Sequence, residues 1–366
     1  MIAVLIFAVW LLSVPPFHVF IDDVLFLSVA ASPAEQAPPI DTGLGLVSFR
    51  DLDVPGDVVS LEATNGGAIV RTTDPSSPFL ARPCGGEWCI EPIIVEPPLA
   101  PPPDLGLTPL PDGGVAASGG DIQRAWYIEP TERYGHGVLG DAIEAGGLAV
   151  VAGSTGVIQT LLLDEADVFE DITPRIIDLD GDGRNEVVAL QSSRTAGGSL
   201  AVYALRDDEL RLLARTPSIG TPNRWLNVAA IEDFDGDGTR DIAVVETPHI
   251  GGELQLWSGA SLLRGEARLG AATGDFSNHA IGSRALGLSA IVPFADEETG
   301  PILALPSADR RSLRFMGFGD GAWREEAAPL PLPGRVATNI VAAGNALLFG
   351  LDNGALVAVA EGPPGR

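Results

Sequence analysis

The sequence predicts an all-β chain assembled from repeated four-stranded antiparallel units. Three observations carry this expectation. An acidic loop occurs twice, as Asp178-Leu-Asp-Gly-Asp-Gly-Arg-Asn-Glu186 and as Asp233-Phe-Asp-Gly-Asp-Gly-Thr-Arg-Asp241, and each copy runs at once into an apolar, valine- and isoleucine-rich stretch. The same trailer of three strand-like segments comes after each copy. The composition, with 44 Gly, 30 Pro and only 6% aromatic residues, suits many short strands joined by turns and does not suit long helices.

The loops come first because the rest is spaced around them. Carboxylates at the first, third, fifth and ninth positions converge if the segment coils around an ion, and a glycine at the sixth position permits the sharp turn. Two carboxylates about 4 Å apart repel by roughly 4 kcal/mol at an effective dielectric of 20, so such crowding calls for a cation or for wide separation in solvent. An oxygen-only donor set selects a hard cation, and Ca2+ is the expected one, two sites in all. The candidate ligands are Asp178, Asp180, Asp182, Arg184 and Glu186 in the first copy, and Asp233, Asp235, Asp237, Thr239 and Asp241 in the second. The seventh positions, Arg184 and Thr239, correspond to the place where such loops use a backbone carbonyl.

The residues immediately after the loops separate calcium-loop families. An EF-hand carries a bidentate Glu at its twelfth position and continues into a helix. Here that position is Ala189 or Val244, inside a strand-forming run. Over residues 177–245 the chain resembles the FG-GAP or VCBS-type repeats of β-propellers, those of integrin alpha chains and of exported bacterial proteins among them. That resemblance implies a calcium loop joining the first and second strands of a blade.

In chain order, residues 1–31 form two apolar runs broken by Pro15-Pro16 and Asp22-Asp23. The second run ends in Ser28-Val-Ala-Ala31, a small-residue pattern expected of a cleaved export signal, with a retained N-terminal anchor as the alternative. Residues 32–366 are then the propeller. Phe49-Arg-Asp-Leu-Asp53-Val-Pro-Gly-Asp57 reads as a shortened loop without metal. Cys84 and Cys89, separated by Gly-Gly-Glu-Trp, are expected to form a disulfide in an oxidising compartment, periplasmic or extracellular. A ring this small contributes about 2 kcal/mol by loop-entropy arithmetic. Residues 92–112 hold Pro97-Pro98 and Pro101-Pro102-Pro103, which remove ladder donors, and read as an excursion outside the sheets.

Beyond Gly113 the spacing becomes regular. Val138–Leu148 is expected where a loop would sit, then come the two intact copies, then Phe294–Ile302 and Ala343–Phe349 as worn copies. The trailer strands are expected at 186–191, 199–205 and 210–215 after the first loop, and at 241–246, 253–257 and 262–269 after the second. With the strand before each loop this makes four per unit, which is a propeller blade. At about 50 residues per blade the chain makes six or seven; seven is the expectation and six the alternative. The last unit lacks an outer strand, and the residues between the leader and Asp51 are expected to supply it, because an open edge is costly.

A second repeat lies upstream of the loops. Arg133 and His136, Arg224 and Asn227, Asn278 and His279, and Arg335 and Asn339 each precede one. Converging on one face, these donors would bind an anionic or hydroxyl-rich ligand. Alternatively they satisfy backbone groups where blades meet.

The formal charge of -27, from 49 acidic and 22 basic residues, repels phosphate backbones and anionic headgroups, so nucleic acid and peripheral membrane binding are not expected. The sequence has no nucleophile elbow, no phosphate loop and no Cys/His cluster. The expected function is therefore a monomeric, exported, calcium-binding propeller that engages an unknown protein or carbohydrate. A propeller hydrolase or lyase acting on a sugar or anionic polymer through the same ring is the alternative.

Overall fold

The computed structural model describes residues 40–41, 46–101, 106–153, 155–295 and 300–361. The expectation for residues 1–31 lies outside them. Among the described residues the protein is all-β, apart from one helical turn, Gly259–Leu263, and every strand pairing is antiparallel.

Sheet I takes Val58–Thr64, Gly67–Thr72, Phe79–Cys84 and Glu87–Pro92 in chain order, and the Cys84–Cys89 disulfide ties its last hairpin. Sheet II has nine strands. One run of four is Ala116–Ala117, Ile122–Thr131, Glu144–Ala152 and Ile158–Leu162; a second is Arg175–Ile177, Glu186–Ser193, Gly197–Arg206 and Glu209–Arg215. Asp167–Phe169 joins the two runs, since Phe169 pairs with Ala145 on one side and Gln191 on the other. Sheet III is Leu226–Glu232, Asp241–Glu246, Gly252–Trp257 and Leu269–Phe276, and sheet IV is Ala290–Ile291, Leu303–Pro306, Ser312–Gly319 and Ala322–Pro331.

Sheet V closes on the N-terminal end of the chain. Val341–Ala342, Ala346–Gly350 and Leu356–Glu361 are joined in space by Leu46–Leu52, whose pairing runs from Val47 opposite Glu361 to Leu52 opposite Leu356. The missing outer strand is thus supplied by the segment leading up to and through Asp51, as the unsatisfied edge requires.

Alternating side chains from facing sheets make the cores. One cluster, with Phe315, Val336 and Phe349, lies between sheets IV and V. Tyr127, Phe169 and Tyr203 pack between the two runs of sheet II. Leu179 and Trp225 belong to the core shared with sheet III, and Phe234 and Phe276 to the core between sheets III and IV. The second residue of each acidic loop, Leu179 or Phe234, is therefore a buried plug, 1% and 5% exposed, that pins its loop to the next core. Between the runs of sheet II a buried polar link accompanies the apolar one. Tyr127 Oη donates to Asp171 at 3.0 Å, and Arg175 pairs with the same carboxylate at 2.6 Å. Breaking such a pair from one side typically costs about 3–5 kcal/mol, because the other charge stays buried.

Four local expectations change. After the second loop the chain does not extend from Leu262; it turns through Gly259–Leu263, with Ser258 capping the Ser261 amide at 3.3 Å, and the fourth strand starts only at Leu269. Val138–Leu148 joins the second and third strands of its run, whereas the first-to-second connection is the short segment between Ala117 and Ile122. The stretch from Phe49 to Asp57 links sheet V to sheet I and is not a first-to-second connection. Thr108 and Leu110, near the end of the Pro-rich stretch, bond to Glu129 and Tyr127 and bring the chain back beside Ile122–Thr131, while residues 93–101 form no strand. The worn copies after Phe294 and Ala343 do join first to second strands; residues 296–299 are outside the described set.

Candidate functional site

Both acidic loops connect the first and second strands of their units, and they have the same internal geometry. In the first, Asp178 accepts the Gly181 and Gly183 amides at 2.8 and 2.9 Å, Asp180 accepts the Asp182 amide at 3.3 Å, and Asp182 accepts the Arg184 amide at 2.8 Å. In the second, Asp233 accepts the Gly236 and Gly238 amides at 2.9 and 3.0 Å, Asp235 accepts the Asp237 amide at 3.1 Å, and Asp237 accepts the Thr239 amide at 2.8 Å. Gly181, Gly183, Gly236 and Gly238 all have φ between 73° and 88°, the left-handed region that a side chain disfavours, which is why the spacing of the carboxylates requires glycine between them.

The coil brings oxygens of Asp178, Asp180 and Asp182 within 4.8 Å of one another, and those of Asp233, Asp235 and Asp237 likewise. The ninth-position acids stand outside these triads, buried at the start of the next strand. Glu186 accepts the Leu179 amide at 3.2 Å and lies 3.9 Å from Arg206. Asp241 accepts the Gly259 amide at 3.1 Å through Oδ1, and its buried Oδ2 has no hydrogen bond of regular geometry, the Phe234 amide being the donor beside the carboxylate. Burial, reinforced by the neighbouring loop carboxylates, pushes Asp241 up to about 6 and Glu186 up to about 7.

These residues fit a hard divalent cation. Three carboxylates within 4.8 Å of one another beside a buried fourth acid leave negative charge uncompensated, and a cation held by the triad is the group that would compensate it. Each triad would hold the ion, joined by the ninth-position acid and the seventh-position carbonyl of Arg184 or Thr239; the bound ion would supply charge neutralisation.

The residues of the second repeat gather where sheets meet. Asn227 and Asn278 are fully buried and exchange bonds, Asn227 Nδ2 donating to the carbonyls of Asn278 at 3.2 Å and Leu286 at 2.8 Å, and Asn278 Nδ2 to those of Asn227 and Val228. Asn339 Nδ2 donates to the Leu61 carbonyl at 3.2 Å, and its Oδ1 accepts the Gly287 amide at 2.9 Å. Two of the arginines are also committed, Arg133 Nε donating to the Asp167 carbonyl at 3.0 Å and Arg335 lying 3.7 Å from Asp352, whereas Arg224 donates to the carbonyl of its own neighbour, Asn223, at 3.0 Å in an exposed bond. Most of the ring thus satisfies backbone where sheets meet.

The histidines converge with partners that spacing did not single out. His136 Nδ1 lies 2.6 Å from the buried Glu170, whose other oxygen is bonded by Ser192, and the Trp225 indole donates to the Glu170 carbonyl at 2.9 Å. His279 Nε2 faces the Ser283 carbonyl at 2.9 Å and so carries the proton, which makes its Nδ1 the acceptor for His249 Nε2–H at 2.8 Å. Trp225 stacks parallel to His249, with centroids 6.1 Å apart. Burial holds both of these histidines down to about 4, and burial together with Glu170 pushes nearby Glu144 up to about 9. His136 and Arg133 stand on a second-to-third connection and do not enter a first strand, but antiparallel pairing puts both kinds of connection at the same end of the sheets. The only signal that marked Glu170 or Trp225 was burial, which appears once the chain has folded.

No curated protein matches the chain. Residues 178–244, which include both triads and the strands between them, match the family described as FG-GAP-like repeat, and this part of the chain is similar to it.

Proposed function

We propose that the protein is an exported β-propeller that binds one Ca2+ in each acidic loop and acts as a binding or interaction module. The observation that carries this is the pair of matching acidic triads, each followed by a buried acid at the ninth position of its loop. The described sheets supply six four-stranded runs if sheet II counts as two and the two-residue strand Ile40–Asp41 at the edge of sheet V is set aside, which favours six blades, the alternative count, over seven. Shared cores between successive sheets and closure of sheet V by Leu46–Leu52 support a ring. The disulfide is compatible with an oxidising compartment, and no helix among the described residues is long and apolar enough to cross a membrane.

Native mass spectrometry of calcium-equilibrated protein is expected to show two ions per chain, and one for Asp235→Ala. A chain that carries no calcium overturns the assignment.

Recognition is assigned to the face that carries Arg224, His136 and His249, with an unknown protein or carbohydrate as ligand. Arg224→Ala is expected to change stability by less than about 0.5 kcal/mol, as for a surface position outside special features. His279→Ala, at a position 1% exposed with both ring nitrogens bonded, is expected to cost about 1–3 kcal/mol. Urea melts of the two variants check this, and an unaffected His279→Ala would free that residue for recognition.

A further inference from the structure

Arg240 occupies the eighth position of the second loop, between Thr239 and Asp241, and reaches across to the first. Its backbone N–H donates to the Leu179 carbonyl at 2.7 Å, and its Nη1 donates to the Asp178 carbonyl at 2.5 Å. Asp178 is the first carboxylate of the other triad. The Arg240 carbonyl faces Gly259 so closely that a Cβ there would come within 1.9 Å of it, and Gly259 in turn donates its amide to Asp241 at 3.1 Å. Arg240 is therefore held between the buried ninth-position acid of its own loop and the opening residues of the neighbouring one.

The first loop makes the same reach, but to a place with no triad. Asn185 at its eighth position donates its backbone N–H to the Asp121 carboxylate at 2.7 Å, and its side-chain amide donates to the carbonyls of Gly119 and Ile122. Ser118–Asp121 is the first-to-second connection of the preceding run. The eighth residue of each loop thus clamps the corresponding connection one unit earlier, and only at Arg240 does the clamp land on a second acidic triad.

We propose that Arg240 is a positioning residue that couples the two loops, so that an ion in the 233–241 loop tightens ion binding in the 178–186 loop. This rests on the calcium reading above. Both ninth-position acids accept backbone amides, Asp241 from Gly259 and Glu186 from Leu179, but only Glu186 has a cation beside it, Arg206 at 3.9 Å, so an ion meets less competition in the second loop, which fills first. An ion that draws in Asp241 and the Thr239 carbonyl fixes the backbone on both sides of Arg240, and the two bonds to Asp178 and Leu179 carry that order into the first loop. Linkage requires the reverse effect to be equally large.

Calorimetric titration with calcium of four full-length chains tests the coupling: wild type, Asp235→Asn/Asp237→Asn, Arg240→Ala, and the three changes together. The first loop is expected to bind about tenfold more weakly when the second cannot fill, within the usual range of coupling between sites. Arg240→Ala is expected to bring the wild-type background to that same weaker value, with no further loss in the triple variant. Arg240→Lys, which keeps a cationic donor, is expected to recover part of the tenfold. Two ions binding independently in the wild type, or unchanged coupling in Arg240→Ala, would overturn the proposal and leave the calcium assignment standing. No calcium heat in the wild type would overturn both. If Arg240→Ala does not fold, the wild type against Asp235→Asn/Asp237→Asn still decides, because equal first-loop affinity there excludes coupling.

Discussion

Chelation is expected to lower the unfolding midpoint by on the order of 5–10 °C. An ion that binds only the folded chain stabilises it by mass action, about 2.7 kcal/mol per site at calcium 100 times its dissociation constant. Two sites then give about 5 kcal/mol, and a chain of this size shifts by roughly 2 °C for each. The effect depends on pH with a definite sign. In the ion-free chain Glu186 and Asp241 are raised to about 7 and about 6 from their ordinary values of 4.5 and 3.8, so the folded state holds more protons than the unfolded state between those limits. Ion-free stability therefore falls as pH rises from about 4 to about 7. Calcium needs the same carboxylates deprotonated, so its stabilisation grows over that window. The difference between calcium and chelator melts is expected to be large at about pH 8 and small at about pH 5. Differential scanning fluorimetry across that range measures it, and a difference that does not change with pH would remove the ninth-position acids from the site.

Deleting residues 40–52 is expected to abolish cooperative unfolding. The deletion strips Leu46–Leu52 from Leu356–Glu361, leaving a strand that is buried over most of its length with an open edge. It also removes Leu52, 4% exposed in the core between sheets V and I, and Phe49, packed against the core between sheets IV and V. Truncating one buried leucine alone costs about 2–5 kcal/mol. Set against a typical total stability of about 5–15 kcal/mol, loss of the whole strand leaves little margin. A broad, early thermal transition with dye-binding apolar surface is the expected signature, and the separate 40–52 peptide is expected to sharpen it by re-forming the pair. A shortened chain that melts at the wild-type temperature would mean that sheet V does not need this strand.

The loops, the strands after them and the need for a closing strand were legible in the sequence because each rests on local chemistry. Gly181, Gly183, Gly236 and Gly238 sit where only a left-handed backbone brings three carboxylates together, and that requirement is written in the order of residues. The Asp241–Glu246 strand extends one residue either side of its apolar run, Ile242–Val245. The helical turn at Gly259–Leu263 was not legible, since its reason is the fit of Gly259 against the Arg240 carbonyl and Asp241. Spacing also misplaced the 138–148 segment, because a worn loop keeps too few carboxylates to be told from an ordinary connection.

The sequence alone determined the all-β class, the two acidic triads and the segment that completes the last sheet. Only the tertiary structure decided what the upstream donors do. Arg133, Asn227, Asn278 and Asn339 look alike as polar residues ahead of strands, yet each meets carbonyls supplied by residues far away in the chain, and the partner determines the role. The same holds for Arg240. Nothing in its own stretch points to Asp178, because their contact exists only where two sheets pack and bring one loop against the next.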